Sequence, residues 1–180
     1  MTVEERTREE VDRRLERLEA EYGAFPVAEE TVQNDPEFFE SGVEMVEEGW
    51  IGDAGAFVTD DENRALLIRH ESEPDQWGTP GGGHEPGETM AETARREVRE
   101  ETGIEADLTG IFRGRRKTAV HADDPERRFQ MLTVWFEGEA RATEIDIGDD
   151  EIAEARWFAE SPDAVHDFLE DRIRVWDNET

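Results

Sequence analysis

The chain has 180 residues, a length that predicts one domain with a single hydrophobic core and a modest extension. Its 20 basic and 49 acidic residues give a formal net charge of −29. This charge argues against duplex nucleic acid and anionic lipid as partners, because polyanions repel one another. Apolar residues still make up 35% of the chain, so we expect a folded domain with an acidic surface rather than a disordered acidic tail.

Cysteine is absent, which excludes disulfides, thiolate metal ligands and a cysteine nucleophile. Of the basic residues only Lys117 is a lysine. This composition resembles that of salt-adapted proteins, in which concentrated salt screens the repulsion between surface carboxylates. The N-terminal segment lacks the apolar core of a signal peptide, and no apolar run is long enough to span a bilayer. We therefore expect a cytoplasmic protein without a membrane partner.

Residues 1–50 have the pattern of a helical extension. A narrow apolar stripe predicts a helix over residues 1–22, and a second helix is predicted over residues 38–46. The stripe consists of Val11, Leu15, Leu18 and Tyr22. Because so narrow a stripe does not sustain an isolated helix, we expect it to pack on the main domain or on a second subunit in a homodimer.

Residues 51–180 have the pattern of a separate α/β domain. Short β-like runs at residues 56–59 and 65–69 flank a turn and predict a hairpin. Residues 89–102 predict a helix that ends at Gly103. Further strands are predicted at residues 108–113, 129–136 and 152–158. A final helix is predicted to open at Ser161 and Pro162. Mixed strands between helices indicate a layered α/β sandwich.

Three carboxylates on the predicted central helix point to metal chemistry. Glu97, Glu100 and Glu101 fall at i, i+3 and i+4, so they share one face of the helix. Like charges at this spacing repel, and a divalent cation among their oxygens would relieve the repulsion. An all-oxygen donor set favours Mg²⁺ or Mn²⁺ over Zn²⁺. In so acidic a chain, a solvated acidic face remains the alternative.

Residues 82–104 resemble the signature of the Nudix hydrolase family, G-x5-E-x7-R-E-U-x-E-E-x-G-U, where U is apolar. The matching positions are Gly82, Glu88, Arg96, Glu97, Val98, Glu100, Glu101, Gly103 and Ile104. Trp77, Pro80 and Gly81 resemble the family's W-x-x-P-G approach, and residues 154–158 resemble its late E-x-R-W-F strand. The likeness covers roughly residues 54–178. It implies a Nudix-type α/β/α sandwich with a mixed β-sheet behind the N-terminal extension.

The resemblance also implies a reaction, the hydrolysis of a diphosphate linkage in a small nucleotide with Mg²⁺ or Mn²⁺. The metal ligands would be Glu97, Glu100 and Glu101 together with the Gly81 carbonyl. The structural positions would be Gly82, Glu88, Arg96 and Gly103. A further acidic residue before the last strand would complete the site or act as base, and of Asp149, Asp150 and Glu151 we favour Glu151. The catalytic set is then Glu100, Glu101 and Glu151.

A basic segment in the otherwise acidic chain is a candidate for binding the substrate's phosphates. Arg113, Arg115, Arg116 and Lys117 lie within five positions, and Arg69 is a further candidate. The alternative is that these side chains pair with neighbouring carboxylates. His84, inside the glycine-rich loop, is expected to face solvent.

The residues leave the substrate open between ADP-ribose-like nucleotide sugars and nucleoside triphosphates. A function of another class is a non-catalytic Nudix-fold module that binds a nucleotide as a sensor. The intact set of carboxylates argues for the enzyme.

Overall fold

The computed structural model describes residues 1–179. The helices are α1 (Val3–Tyr22), α2 (Pro36–Glu47), α3 (Met90–Thr102) and α4 (Glu170–Glu179), the last preceded by a 3₁₀ turn (Asp167–Leu169). The strands are β1 (Val27–Asn34), β2 (Gly52–Thr59), β3 (Ala65–His70), β4 (Glu73–Gly78), β5 (Gly81–Gly83), β6 (Ala106–His121), β7 (Arg128–Ala140) and β8 (Ile152–Phe158). Within the described residues, no helix is both long and apolar enough to cross a bilayer.

The chain forms two compact units. The first unit contains Met1–Ala54, Gly83–Thr93 and Ile111–Trp135. The second unit contains Gly55–Gly82, Ala94–Gly110 and the chain from Phe136 onward. Several strands and α3 have residues in both units. The division of the chain at residue 50, drawn from the change of helical to strand-like pattern, remains a prediction.

In the first unit, the N-terminal helix packs on its own chain. The capping box of Thr2 and Glu5 starts α1, and Val11 and Leu18 on its stripe are buried. The hydroxyl of Thr7 accepts a hydrogen bond from the Gln130 backbone amide at 2.8 Å, which fixes the helix against β7. In this unit β1 pairs parallel to β6, and β7 follows β6 in the strand order.

The second unit contains the predicted hairpin. Strands β2 and β3 pair antiparallel, with Val58 opposite Leu66. The carboxylate of Asp60 accepts backbone hydrogen bonds from Glu62 and Arg64 at 3.0 and 2.8 Å and so closes the turn. Strands β4 and β8 both pair with β3, again antiparallel. The chain thus contains both parallel and antiparallel strand pairs, as predicted for a mixed sheet, and the α/β class is confirmed.

Four features differ from the sequence-based expectations. Strand β1 was missed because polar and apolar residues alternate only weakly along it. Strand β4 was missed because residues 73–76 are exposed and include a proline, and β5 was missed because its three residues are all glycine. The final helix does not open at Ser161 and Pro162, since residues 161–164 are irregular and helical structure starts at residue 167. Leu169, Ile173 and Trp176 of this C-terminal segment are nevertheless buried.

Candidate functional site

The second unit brings β5 against the last turn of α3. The backbone amide of Gly81 donates a hydrogen bond to Oε2 of Glu101 at 3.1 Å. The Glu101 residue is only 3% exposed, which is rare for a glutamate because burial removes the carboxylate from water. One predicted ligand residue thus contacts another.

The surroundings of Glu101 disfavour its charged form. Burial raises its pKa from the usual 4.5 to about 8, the hydrogen bond from Gly81 opposes this, and the charges of Glu97, Asp149 and Glu100 add to the rise. A divalent cation is the ligand that would restore the charged form in such a cluster.

The guanidinium group of Arg96, on the same helix, bridges Glu97 and Glu100. The Nη1 atom of Arg96 lies 2.7 Å from Oε1 of Glu97 and 3.2 Å from Oε2 of Glu100. Burial raises the pKa of Glu97, and the charges of Glu100 and Asp149 raise it further, while Arg96 lowers it. Arg96, identified from the sequence as structural, therefore neutralises part of the acidic cluster.

Gly82 allows a close approach of the backbone to this cluster. A Cβ atom at this position would lie 2.6 Å from Cδ of Glu97, closer than two such atoms can stand. The glycine is therefore required by the position of the Glu97 carboxylate. Gly103 has φ +75°, the left-handed conformation that ends α3, and a Cβ there would lie 2.8 Å from the Asp146 carbonyl oxygen.

The loop before β8 adds a fourth carboxylate. It is joined to α3 by hydrogen bonds from the Asp146 and Gly148 amides to the carbonyls of Thr102 and Glu100, at 2.9 and 3.2 Å. Asp149, which is half-buried, contributes to the raised pKa of both Glu97 and Glu101. Glu151, the residue favoured from the sequence, is exposed, and its amide donates to Oδ1 of Asp149 at 2.9 Å. The electrostatics of the cluster favour Asp149 as its fourth acidic member.

The donor set has the chemistry that Mg²⁺ or Mn²⁺ prefers, since every candidate ligand offers oxygen. The charges of Glu100 and Asp149 raise the pKa of both Glu97 and Glu101, which places all four carboxylates within electrostatic reach of a common cation. Among residues 1–179, however, no three His, Asp or Glu side chains are arranged as a ready-made metal cage. In the structure Glu97 and Glu100 both contact Arg96, so a bound cation would compete with that arginine for their oxygens.

The basic segment of β6 divides between two faces in the first unit. The guanidinium groups of Arg113 and Arg115 lie 5.4 and 5.5 Å from the ring centre of Trp135. Arg115 also donates to the Thr133 hydroxyl at 3.2 Å. Arg116 instead pairs with Asp12 of α1 and donates to Oε1 of Gln130 at 2.6 Å. The role of all three in binding substrate phosphates remains a prediction.

Arg69, in the second unit, is engaged by protein groups. Its Nη2 atom lies 2.5 Å from Oε2 of Glu154, and its Nη1 atom donates to the Pro74 carbonyl at 3.0 Å. The guanidinium also covers the ring of Trp77 at 4.9 Å. This arrangement matches the alternative weighed from the sequence, pairing with a neighbouring carboxylate.

The expectation that His84 faces solvent is wrong. The residue is 0% exposed. Its Nε2 lies 2.7 Å from the Glu88 carbonyl, and its Nδ1 accepts the Ile51 amide at 3.4 Å. Burial lowers the pKa of this imidazole, which is neutral and structural. The glycines around it concealed this role, because they suggested an open loop.

Comparison with known proteins agrees with the motif. A family model described as "NUDIX domain" matches residues 51–175. The chain is 34% identical over 98 residues to the nucleoside triphosphatase NudI of Salmonella arizonae, covering 52% of this chain and 69% of that protein. It is 40% identical over 68 residues to NudI of an Enterobacter species, covering 36% of this chain and about half of that protein, 48%.

Solved structures share the fold. A NUDIX hydrolase from Nitrosomonas europaea superposes with a TM-score of 0.55 at 20% identity, covering 72% of this chain and 71% of that one. A MutT protein from Methanosarcina mazei Go1 gives a TM-score of 0.51 at 21% identity, covering 72% and 94%. At these identities the likeness shows the fold alone.

Proposed function

The chain belongs to the Nudix hydrolase family, and we propose that it is a Mg²⁺-dependent pyrophosphohydrolase that cleaves the diphosphate linkage of a small nucleotide. The observation that carries the proposal is the carboxylate cluster of the second unit, in which Glu100 is exposed, Glu97 and Asp149 are half-buried, and Glu101 is almost fully enclosed with a pKa raised to about 8. A site that crowds four carboxylates at one end of a helix is built to receive positive charge.

In this proposal the chain's own groups hold and orient the reactants. Glu97, Glu100, Glu101 and the Gly81 carbonyl would hold the cation, which supplies charge neutralisation at the diphosphate and a more acidic bound water. Asp149 or Glu151 would accept the proton of the attacking water. We favour Asp149 for its position among the other carboxylates.

A nucleoside triphosphate is the substrate class with the better support. The curated relatives at 34% and 40% identity are named nucleoside triphosphatases. A neighbour described as an ADP-ribose pyrophosphatase, from Streptococcus suis, is 13% identical and supports the fold only. Arg113 and Arg115, side by side on β6, would contribute to phosphate binding.

The test is a product analysis of the purified protein with a panel of nucleotides, in Mg²⁺ and concentrated KCl. A nucleoside monophosphate with pyrophosphate identifies a triphosphate substrate, and AMP with ribose 5-phosphate identifies ADP-ribose. The Glu101→Gln variant is the matched control for contaminating activity. Nucleotide binding without turnover would contradict the proposal and favour the sensor.

A further inference from the structure

The N-terminal helix reaches the loop of residues 84–89, which connects β5 to α3. In the first unit, Nη1 of Arg14 donates to the Glu88 carbonyl oxygen at 3.2 Å and lies 3.3 Å from Sδ of Met90. Its Nε donates to Oε1 of Glu10 at 2.7 Å, so a residue of the same helix orients the guanidinium. The Arg14 side chain is only 15% exposed, so these contacts are largely protected from water.

The Glu88 carbonyl oxygen that Arg14 contacts takes part in a second hydrogen bond within the loop. The same oxygen accepts the Nε2 hydrogen of His84 at 2.7 Å. The side chain of Glu88 closes the loop from the other side, since its Oε1 accepts the Glu85 amide at 2.9 Å and the Thr93 hydroxyl at 3.1 Å. Arg14 is therefore one of several donors that restrain the loop.

This loop connects two ligand-bearing elements along the chain. Gly81 lies on β5 before the loop, and Glu97, Glu100 and Glu101 lie on α3 directly after it. Because α3 is continuous from Met90 to Thr102, a displaced Glu88 peptide would shift the start of the helix that carries these carboxylates. Groups that hydrogen-bond metal ligands commonly affect metal affinity about 10–100-fold, and we expect a residue one contact further away to act at the lower end of that range.

We propose that Arg14 is a positioning residue for the divalent-cation site, so that α1, which lies outside the stretch matched by the family model, is a working part of the enzyme. The proposal rests on the proposed function, because it assumes that the carboxylates of α3 hold a cation. It assigns the N-terminal extension a role in metal binding and turnover in addition to stability.

The chain offers a matched control on the same helix. Arg13 also pairs with Glu10, but its side chain is 61% exposed. Replacing either arginine with methionine removes one positive charge and one ion pair with Glu10 and keeps the aliphatic stem. Only Arg14→Met, however, also removes the donor to the Glu88 carbonyl oxygen.

The experiment measures Mn²⁺ binding by calorimetry in the full-length protein and the variants Arg14→Met, Arg13→Met and Arg14→Lys. Thermal unfolding, kcat and KM are measured on the same samples. We expect Arg14→Met to raise the Mn²⁺ Kd about 10-fold and to lower kcat more than it raises KM. Arg13→Met should stay within about twofold of the unaltered protein. Arg14→Lys, which keeps the charge and one donor, should lie between them.

Each outcome decides the proposal. Equal Mn²⁺ affinity in Arg14→Met and Arg13→Met would overturn it, as would a loss of binding that only follows the fraction of unfolded protein. If Arg14→Met does not fold, the comparison is made with Arg14→Lys, for which unchanged Mn²⁺ affinity would be the contrary result. Unaltered protein that binds Mn²⁺ but hydrolyses no nucleotide would contradict the proposed function, while the difference between the two affinities would still decide the role of Arg14. No Mn²⁺ binding at all would overturn both.

Discussion

The Gly81 amide and the Glu101 carboxylate are joined by a hydrogen bond of 3.1 Å that ties β5 to the last turn of α3. The bond supplies one donor to a carboxylate that has lost almost all contact with water. It does not compensate for burial, since the pKa of Glu101 stays near 8. A bound cation would offset the free energy that ionising the buried Glu101 still costs, and the next two predictions rest on this effect.

Replacing Glu100 or Glu101 with glutamine should lower kcat by about 100-fold while the protein remains folded. Each change removes a proposed ligand charge and keeps the side-chain shape. Steady-state kinetics and far-UV circular dichroism provide the measurement. Glu105→Gln is the control, because Glu105 is exposed and its nearest basic partner, Arg99, is 3.8 Å away. Turnover equal to that of the control in both variants would refute the assigned mechanism.

The stability of the metal-free protein should depend on pH through Glu101. Its folded pKa lies above the unfolded value, so its stabilising contribution is complete below about pH 4.5 and is lost as pH rises toward about 8. The free energy of unfolding of the unaltered protein should thus fall relative to Glu101→Gln over this window, measured by urea denaturation. Mg²⁺ should stabilise the unaltered protein more at the upper end of the window than at the lower end. Parallel pH profiles of the two proteins would argue against a protonated, buried Glu101.

Gly82→Ala should weaken Mn²⁺ binding about 10-fold without unfolding the protein, because the new Cβ displaces the Glu97 carboxylate rather than backbone. Gly83→Ala is the control, since the nearest atom to its Cβ is 3.9 Å away. Neither glycine has a positive φ, so alanine strains neither backbone. Calorimetry of both variants tests this, and equal affinities would show that the position of Glu97 is unimportant for the metal.

His84 should make the protein sensitive to mild acid. Its pKa is lowered by burial, so below the unfolded value of about 6.5 the unfolded chain takes up a proton that the folded chain refuses. The contribution of His84 to the free energy of unfolding is therefore fully present above about pH 6.5. It falls below that pH by at most about 1.4 kcal/mol per pH unit. His84→Gln, which can still donate and accept, should lack this component when unfolding is compared at about pH 7.5 and 5.5. An equal loss in both proteins would assign the acid sensitivity to other groups.

Salt should stabilise the protein and improve its apparent affinity for an anionic substrate. At low ionic strength the surface carboxylates behind the net charge of −29 repel one another and the anionic nucleotide. In molar KCl the screening length falls to about 3 Å, and both repulsions weaken. Melting curves and initial rates from about 0.05 to about 3 M KCl, with and without Mg²⁺, provide the test. A melting temperature that stays flat or falls across this range would contradict salt adaptation.

Local patterns predicted much of the fold because the physics of those segments is local. The helices of residues 3–22, 36–47 and 90–102 follow from apolar spacing and capping residues, and the hairpin follows from its polar turn. Strand β1 could not be predicted, since its stability depends on parallel pairing with β6, more than 80 residues away in sequence. The start of the final helix was missed because residues 161–166 pair elsewhere, with the Trp77 amide bound to the Ala164 carbonyl at 3.0 Å.

The sequence alone determined the family, the three glutamates on one helix face and the acidic character of the protein. These depend on residue type and spacing along the chain, which folding does not change. Only the tertiary structure decided that Glu101 is buried, that Asp149 influences the cluster while Glu151 faces solvent, and that Arg14 and His84 share the Glu88 carbonyl. Burial and hydrogen bonding join residues distant in sequence, and pKa values depend on those neighbours. The charge state of the site is therefore a property of the fold.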